Sequence, residues 1–468
     1  MGTLSGLFDL SRAALAADQV ALSTTASNVS NQNTVGYTRQ VVNWTAGDSV
    51  TLAAGLTLAS GGPSISTISR RDRVLEQRVQ QQTQVQTSTA ARAAIYSQIE
   101  GVFSLNGTSA TAGSTQLGTA LDSFFSSLTA LSGNPSDSAT RQGALSAARA
   151  LTSAFRSATT QLEQVNASVS PEVSSSVTQV NGLTAAIAKL NKQIGETSPA
   201  GDAGSLEDQR QAAIAQLSKL VGLDQISTER NGITLATQGG TVLVSGDQAF
   251  ALTAINKGGR MHVQDAMGTD VGSTIQGGSL GGRLTGQNQD LPAVQAALDA
   301  LAYRVITAVN AQNDAGFTPL GMAGIAIFVP QAGAPGSAGT MAMVASQPND
   351  FAAAAPGEGP TGNGNAQGLA DLANATDASG NTISSQFAAM LSQVGTDSAS
   401  LSQQNTTEQA SLTQLTTQRD TLSGVSMDEE AANLTQYQRA YQAAAKVLSV
   451  LDQLMAAAIN LGTQTTVG

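Results

Sequence analysis

The feature that most constrains the fold is a seven-residue apolar repeat between Gly424 and Leu461. Two apolar columns run through it, and their members are Leu434, Tyr441, Leu448 and Met455 in one, and Tyr437, Ala444, Leu451 and Ala458 in the other. This spacing predicts a long helix with the seam of a coiled coil. A helix of about 35 residues is about 50 Å long and cannot bury such a seam by itself. The segment therefore needs a partner.

The start of this helix has the residues of an N-terminal cap. Ser426 and Glu429 have the spacing of a capping box, and Asp428, Glu429 and Glu430 complement the positive end of the helix dipole. Gly462 is placed to end the helix. A third apolar column, which consists of Val447, Leu454 and Leu461, widens the seam.

The N-terminal segment carries the same repeat. Over residues 4–29, a predicted helix has apolar residues seven apart at Phe8, Leu15, Leu22 and Val29. Two interpretations stay open: each helix packs on a domain of its own, or the two termini pair or pack together in an assembly. The matched period favours the second interpretation.

The first helix runs into an asparagine-rich segment. Its characteristic residues are Asn28, Asn31, Asn33, Thr34, Gly36 and Tyr37. Such residues favour turns and local hydrogen bonds over continued helix. In order and spacing they resemble a signature of the axial proteins of the bacterial flagellum, the family of rod, hook and hook-associated proteins. Val35 stands where proline is common in that family.

The C-terminal segment narrows the resemblance. The run from Gly424 to Leu434, continuing through Tyr437-Gln-Arg-Ala-Tyr441, is similar to that of the family members at the junction between hook and filament. Rod and hook proteins share the Gln-Arg-Ala-Tyr part but lack the Asp-Glu-Glu triplet at 428–430. Interior blocks at 206–210, 242–246 and 275–284 resemble the same members, so the likeness is strong at both ends and patchy between them.

The periodicities predict a mainly α protein with an inserted β-rich region, in which the terminal helices form a coiled-coil domain beside a long-helix bundle. The predicted parts are residues 1–40, which pair with 424–468; a short β segment and bundle over 41–222, completed by 288–313 and 384–423; a β-rich domain over 223–287; and a strand and loop segment over 314–383.

Three local expectations follow from these patterns. Pro171 is expected to end or kink a helix within residues 138–194. Residues 325–329 have the pattern of a strand. Residues 330–368 are rich in Gly, Ala and Pro, which predicts a loop or weakly ordered segment.

The composition argues against catalysis and against several classes of partner. The chain has no cysteine, and His262 is its one histidine, so a thiolate centre or a two-histidine zinc site is not possible. No P-loop triplet occurs. We predict no catalytic, metal or cofactor site. The net charge of −11 makes nucleic acid and anionic membranes poor partners.

No cleavable signal peptide or membrane anchor is predicted. Asp9, Arg12 and Asp18 interrupt what would have to be an apolar signal region. The uncharged stretch over 320–345 contains two prolines and is a poor spanning helix.

The resemblance implies an extracellular structural subunit at the hook–filament junction, exported by the flagellar type III apparatus. It implies self-assembly into a helical oligomer through the terminal helices, with the hook protein and the next hook-associated protein or the flagellin side as neighbours, and an export chaperone. The terminal segments are expected to order on assembly. The alternatives are another axial subunit, of the hook or distal rod, and a secreted adhesin with coiled-coil ends.

Overall fold

A computed structural model describes residues 2–34, 37–45, 49–52, 56–59, 64–104, 115–197, 204–227 and 232–464. In these ranges the helices are α1 (Gly2–Asn31), α2 (Arg73–Val102), α3 (Gln116–Gly133), α4 (Ser138–Thr197), α5 (Gly204–Ser218), α6 (Gly278–Thr285), α7 (Leu291–Asp314), α8 (Ser337–Thr340), α9 (Gly364–Asp371), α10 (Ile383–Ser423) and α11 (Met427–Gln464). The strands are β1 (Gln40–Thr45), β2 (Ser49–Leu52), β3 (Leu56–Ala59), β4 (Ser64–Ser69), β5 (Leu223–Ser227), β6 (Ile233–Thr237), β7 (Val242–Ser245), β8 (Gln248–Ala249), β9 (Thr253–Lys257) and β10 (Arg260–Gln264). Long helices at both ends and a small β region in the middle confirm the predicted fold class.

The two terminal helices pack against each other within one chain. The pair is antiparallel, because Asn28 near the end of α1 contacts Glu430 in the first turn of α11. The buried side of α1 consists of small and polar residues, namely Ala17, Asp18, Ala21, Thr24, Thr25 and Asn28. Small side chains let the helix backbones approach closely, so this terminal pair forms without the large apolar residues at its centre.

A β ribbon connects the terminal pair to the rest of the chain. β1 pairs antiparallel with β4, with Gln40 opposite Ser69, and β2 pairs with β3 farther along. The base of the ribbon contacts α1 and α5. The ribbon therefore places residues 37–40 between α1 and the helical bundle.

The bundle is built from α2, α3, α4, α7 and α10 around one apolar core. Its largest fully buried side chains include Phe124, Phe155, Leu128, Leu145 and Leu151. α2 begins at an N-cap, because the carboxylate of Asp72 accepts hydrogen bonds from the backbone N–H groups of Val74 and Leu75. These caps and apolar faces give the helix positions that the sequence pattern predicted.

Pro171 does not end the long helix, which runs through it for 60 residues. A proline inside a helix removes one backbone hydrogen bond at a cost of about 3 kcal/mol. Here Val169 and Val173 are buried on either side, as is the rest of that face of α4. Packing along the whole bundle outweighs the local cost, so the predicted helix end at this proline is wrong.

The β-rich region ends earlier than predicted. A sheet of order β5-β6-β7-β8 and the β9–β10 hairpin lie within residues 223–227 and 232–264, but residues 278–285 form helix α6. The turn into α6 uses Gly278 at φ +64, where a Cβ would lie 2.2 Å from the backbone carbon of Leu220. Glycine is required there by close backbone approach, and the predicted β-rich domain over 223–287 is wrong in its last part, where residues 278–285 are helical.

The segment over 314–383 belongs to the core. Residues 325–329 form only an isolated bridge, between Phe328 and Met343, in place of the predicted strand. Within residues 330–368, Met341, Phe351 and Ala353 are completely or almost completely buried. Of the two predicted alternatives, the loop is therefore right and the weakly ordered segment is wrong, because alanine and glycine here allow tight packing against α3, α4 and α7.

The last helix is longer than predicted and continues past Gly462 to Gln464. Gly462 thus lies inside α11, and the expected helix end there is wrong. Among the described residues, no helix is long and apolar enough to cross a membrane.

Candidate assembly site at the paired termini

Asn28 is the centre of a buried hydrogen-bond cluster at the end of α1. Its side-chain Oδ1 accepts hydrogen bonds from the Tyr37 hydroxyl at 2.9 Å and from the Gln40 backbone N–H at 3.0 Å. Its Nδ2 donates to the Gln40 carbonyl at 2.8 Å and to Glu430 Oε2 at 3.1 Å. Asn28 is 1% exposed. The amide thus makes three hydrogen bonds to Tyr37 and Gln40 and one to Glu430 of α11.

Arg39 completes the cluster from the ribbon side. Its Nε donates to Glu430 Oε1 at 2.7 Å, and its Nη1 contacts the Glu429 carboxylate. The backbone of Arg39 is also paired, because its N–H donates to the Ser423 carbonyl at 2.9 Å and its carbonyl accepts from the Arg70 N–H at 2.9 Å. Glu430 is 1% exposed, so its charge is matched inside the protein by Arg39.

A second ion pair ties the ribbon to the bundle. The Arg71 guanidinium donates to Asp208 Oδ1 at 2.7 Å and to the Thr38 hydroxyl at 3.1 Å. Gln40 Nε2 lies 3.5 Å from Asp208 Oδ2. Burial raises the pKa of Asp208, while Arg71 opposes that rise. These contacts connect the terminal pair to α5 and set where it sits on the bundle.

The other residues of the predicted motif shape the loop after α1. Asn31 Nδ2 donates to the Ser27 carbonyl at 3.0 Å, and the Tyr37 N–H donates to the Thr34 carbonyl at 3.0 Å. Asn33 is exposed. Burial raises the pKa of the Tyr37 hydroxyl, which stays protonated as a donor. Gly36 lies outside the described residues.

The predicted seam residues lie along the contact between α1 and α11. Leu451 is buried, and the half-buried members are Phe8, Leu15, Leu22, Val29, Leu434, Tyr437, Tyr441, Leu448 and Met455. On α1 the most buried apolar positions are Ala17 and Ala21, which lie beside the predicted seven-residue column and not in it. The side chain of Ala458 lies outside the described residues.

The cap predicted at Ser426, Asp428 and Glu429 lies at the start of α11. The Glu430 N–H donates to the Ser426 carbonyl at 3.0 Å, which is the first turn of that helix. Asp428 is exposed, and Glu429 has a partner that the cap prediction did not include, Arg39. The acidic triplet therefore does more than complement the helix dipole.

An apolar column stays exposed on α11 after the terminal helices have paired. Val447 is 52% exposed, Val450 48% and Leu454 51%. The first and last of these belong to the predicted third column, whereas Val450 was not singled out. On α1, Leu7 and Val20 are also exposed. Intrachain pairing thus covers only one side of α11.

Sequence reasoning missed Arg39, Arg71 and Asp208. Arg39 and Arg71 flank the two ends of the ribbon, and Asp208 lies in a block that was noticed only for its likeness to the family. The signal that could have found Arg39 is its position two residues after Tyr37, beside a motif whose partner helix starts with three carboxylates.

His262, the one histidine of the chain, lies on β10, and Asp270 lies in the turn that follows. The Nδ1 of His262 is 2.6 Å from Oδ2 of Asp270. Both side chains are partly exposed. The described ranges contain no group of three His, Cys, Asp or Glu residues able to hold a metal ion.

Three family models match the chain. "Flagella basal body rod protein" matches residues 8–38, "Flagellar hook-associated protein FlgK helical domain" matches 96–328, and "Flagellar basal body rod FlgEFG protein C-terminal" matches 418–461. The two terminal matches cover the paired helices and the cluster between them. Fold and terminal site together define an axial structural protein of the bacterial flagellum.

Relatives extend the likeness over the whole chain. The flagellar hook-associated protein 1 of Bacillus subtilis (strain 168) is 28% identical over 506 residues, with 98% of each chain covered. That of Salmonella typhimurium (strain LT2) is 26% identical over 561 residues, which cover 98% of this chain and 100% of the relative. The chain belongs to the family of flagellar hook-associated protein 1.

A solved structure has the same fold. The flagellar hook junction protein FlgK from Burkholderia pseudomallei superposes with a TM-score of 0.66 at 16% identity, covering 73% of this chain and 99% of that one. The Salmonella alignment is longer than the 468 residues of this chain, so that relative contains inserted segments.

Proposed function

We propose that this protein forms the junction between hook and filament and assembles there into a helical oligomer through its terminal helices. Support comes from the relatives over 98% of the chain and from the family matches at both termini. The Burkholderia protein of like fold is named for the hook junction.

The observation that carries the proposal is the exposed apolar column at Val447, Val450 and Leu454. Covering a line of exposed valine and leucine side chains on a helix lowers the free energy by about 25 cal/mol per Å² of apolar area removed from water. This gain favours association. Since α1 already occupies the other side of α11, this column needs a neighbour from outside the chain. Copies of the same chain supply one in a helical array.

The proposed neighbours are the hook protein on one side and the next hook-associated protein or the flagellin side on the other. Export by the flagellar type III apparatus, with a chaperone for the C-terminal segment, delivers the subunit outside the cell. The role is structural and not catalytic. The acidic composition agrees with partners other than nucleic acid and anionic membrane.

Deletion of the coding sequence in the source bacterium, followed by electron microscopy, tests the proposal. The expected result is complete hooks without filaments and flagellin released into the medium, with filaments restored by the wild-type chain. Cells without hooks would instead support a rod or hook subunit. Normal filaments in the deletion strain would contradict every axial role and favour the adhesin alternative.

A further inference from the structure

The apolar contact between the terminal helices does not by itself define their register. Ala14, Ala21 and Asn28 recur every seven residues on α1, and Tyr437, Ala444 and Leu451 do so on α11. When both helices repeat with the same period, a shift of seven residues again places small or apolar side chains opposite one another. The side chains at the centre of α1 are small, so they interlock little with α11 and do not sterically prevent such a shift.

The polar cluster at the end of the pair does distinguish the registers. Asn28, Arg39 and Glu430 are each 8% exposed or less, and Glu430 accepts from both of the others. A shift of seven residues would move Glu430 by about 10 Å along the helix axis. Arg39 and Asn28 would then be buried without the carboxylate, and an uncompensated buried charge is strongly unfavourable.

We propose that Asn28, Arg39 and Glu430 are positioning residues that fix the register of the terminal helix pair. Buried polar groups within helix seams have register selection as their best-attested role. The proposal rests on the proposed function and deepens it. The register sets the height at which Val447 and Leu454 are presented to a neighbouring subunit, so one register gives one assembly surface.

The absence of cysteine allows the register to be read by engineered disulfides. Ala14 precedes Asn28 by fourteen residues and Ala444 follows Glu430 by fourteen, so equal helical rises place them opposite each other, roughly 21 Å from the cluster. Ala21 faces Ala444 only after a shift of seven. The two reporters are therefore Ala14→Cys with Ala444→Cys and Ala21→Cys with Ala444→Cys, each in the purified full-length chain.

Without any further substitution, the Ala14→Cys/Ala444→Cys reporter should form its intramolecular disulfide in high yield and the Ala21→Cys/Ala444→Cys reporter in low yield, as measured by peptide mass spectrometry after mild oxidation. Glu430→Gln should raise the ratio of 21–444 to 14–444 disulfide by about tenfold or more. The reason is that the free-energy cost of removing one charge of a buried pair is larger than the cost that corresponds to a tenfold change. Asp428→Asn removes an exposed carboxylate from the same turn and should leave the ratio unchanged.

An unchanged ratio in Glu430→Gln, or equal disulfide yields in the two reporters without that substitution, would overturn the register proposal. Arg39→Gln provides a second variant, and circular dichroism establishes that either variant keeps its helical content. A high yield of the 14–444 disulfide alone, together with a wild-type chain that does not restore filaments to the deletion strain, would support the register while contradicting the junction role. The two proposals can therefore fail separately.

Discussion

At the scale of single residues, Asn28 shows how a short polar motif joins distant parts of a chain. Its amide is fully hydrogen-bonded to Tyr37, Gln40 and Glu430, the last of which is 402 positions away in sequence. An alanine there would leave the backbone groups of Gln40 and the Tyr37 hydroxyl without their partners. Each unsatisfied buried group costs about 1–3 kcal/mol.

Asn28→Ala is therefore expected to lower the local unfolding free energy of the terminal pair by about 2 kcal/mol or more. Hydrogen–deuterium exchange measures this change as faster exchange of the backbone amides of α1 and α11. Asn33→Ala changes an exposed asparagine of the same motif and serves as the matched control. Equal exchange in the two variants would contradict the central place of Asn28 in the cluster.

Two loop carboxylates predict a dependence of stability on pH. Backbone N–H groups of Ala355 and Gly364 hold the pKa of Glu358 below its ordinary value of 4.5, and that of Asn381 lowers the pKa of Asp377. A carboxylate with a depressed pKa in the folded state contributes stability above its unfolded pKa, and the contribution is lost as pH falls through the folded pKa.

The urea midpoint of the parent chain should therefore be lower at pH 3 than at pH 7. Glu358→Gln should be less stable than the wild-type chain at pH 7, and the difference should be smaller at pH 3, because the carboxylate contribution is lost as the pH falls through the folded pKa of Glu358. A difference between variant and parent that is the same at both pH values would show that Glu358 contributes no charge-dependent stability.

At the scale of elements, the sequence predicted the long helices and failed where packing overrides local signals. The helical period placed α7 and α10 within a few residues of their observed ends, since 288–313 and 384–423 were predicted. The helix end expected at Pro171 does not occur, because the free-energy cost of one lost hydrogen bond is small beside the gain from burying one face of a 60-residue helix. The sequence could not decide whether residues 330–368 form a packed loop or a weakly ordered segment, because glycine and alanine are common both in loose loops and in tightly packed turns.

Phe351→Ala tests whether that segment is part of the core. Phe351 is completely buried, and the Arg141 guanidinium donates to its carbonyl at 2.6 Å. Removal of a buried phenylalanine side chain should lower the unfolding free energy of the bundle by about 3–5 kcal/mol. Leu320→Ala, at a 70% exposed position, should change it little. Chemical denaturation compares the two, and a loss below about 1 kcal/mol for Phe351→Ala would contradict core membership.

At the scale of the whole molecule, the seven-residue repeat at both ends predicted that the termini pair, and the structure confirms that they do so within one chain. The Asn-rich motif and the acidic triplet were each visible in the sequence, but their meeting was not. Arg39 and Asp208 become significant only once the ribbon brings them beside Asn28 and Arg71. Long-range polar contacts carry no periodic signal, which is why this part of the site could not be predicted.

Helix α11 has two different faces, one packed toward α1 and one exposed. Leu448 lies half-buried toward α1, whereas Val447 is exposed. Leu448→Asp should therefore disturb both the terminal pair and assembly, whereas Val447→Asp should leave the pair intact and disturb assembly alone. The 14–444 disulfide reports the pair, and incorporation into flagella reports assembly.

The most direct measurement of the central claim, that α11 assembles through its exposed apolar column, is the number of filaments on deletion cells that express Val447→Asp. Gln438→Asp places the same charge on an exposed side of α11 about 180° from Val447 and serves as the control. Hooks without filaments are expected for Val447→Asp, with the 14–444 disulfide retained, and normal filaments are expected for Gln438→Asp. Normal filament numbers with Val447→Asp would contradict the claim.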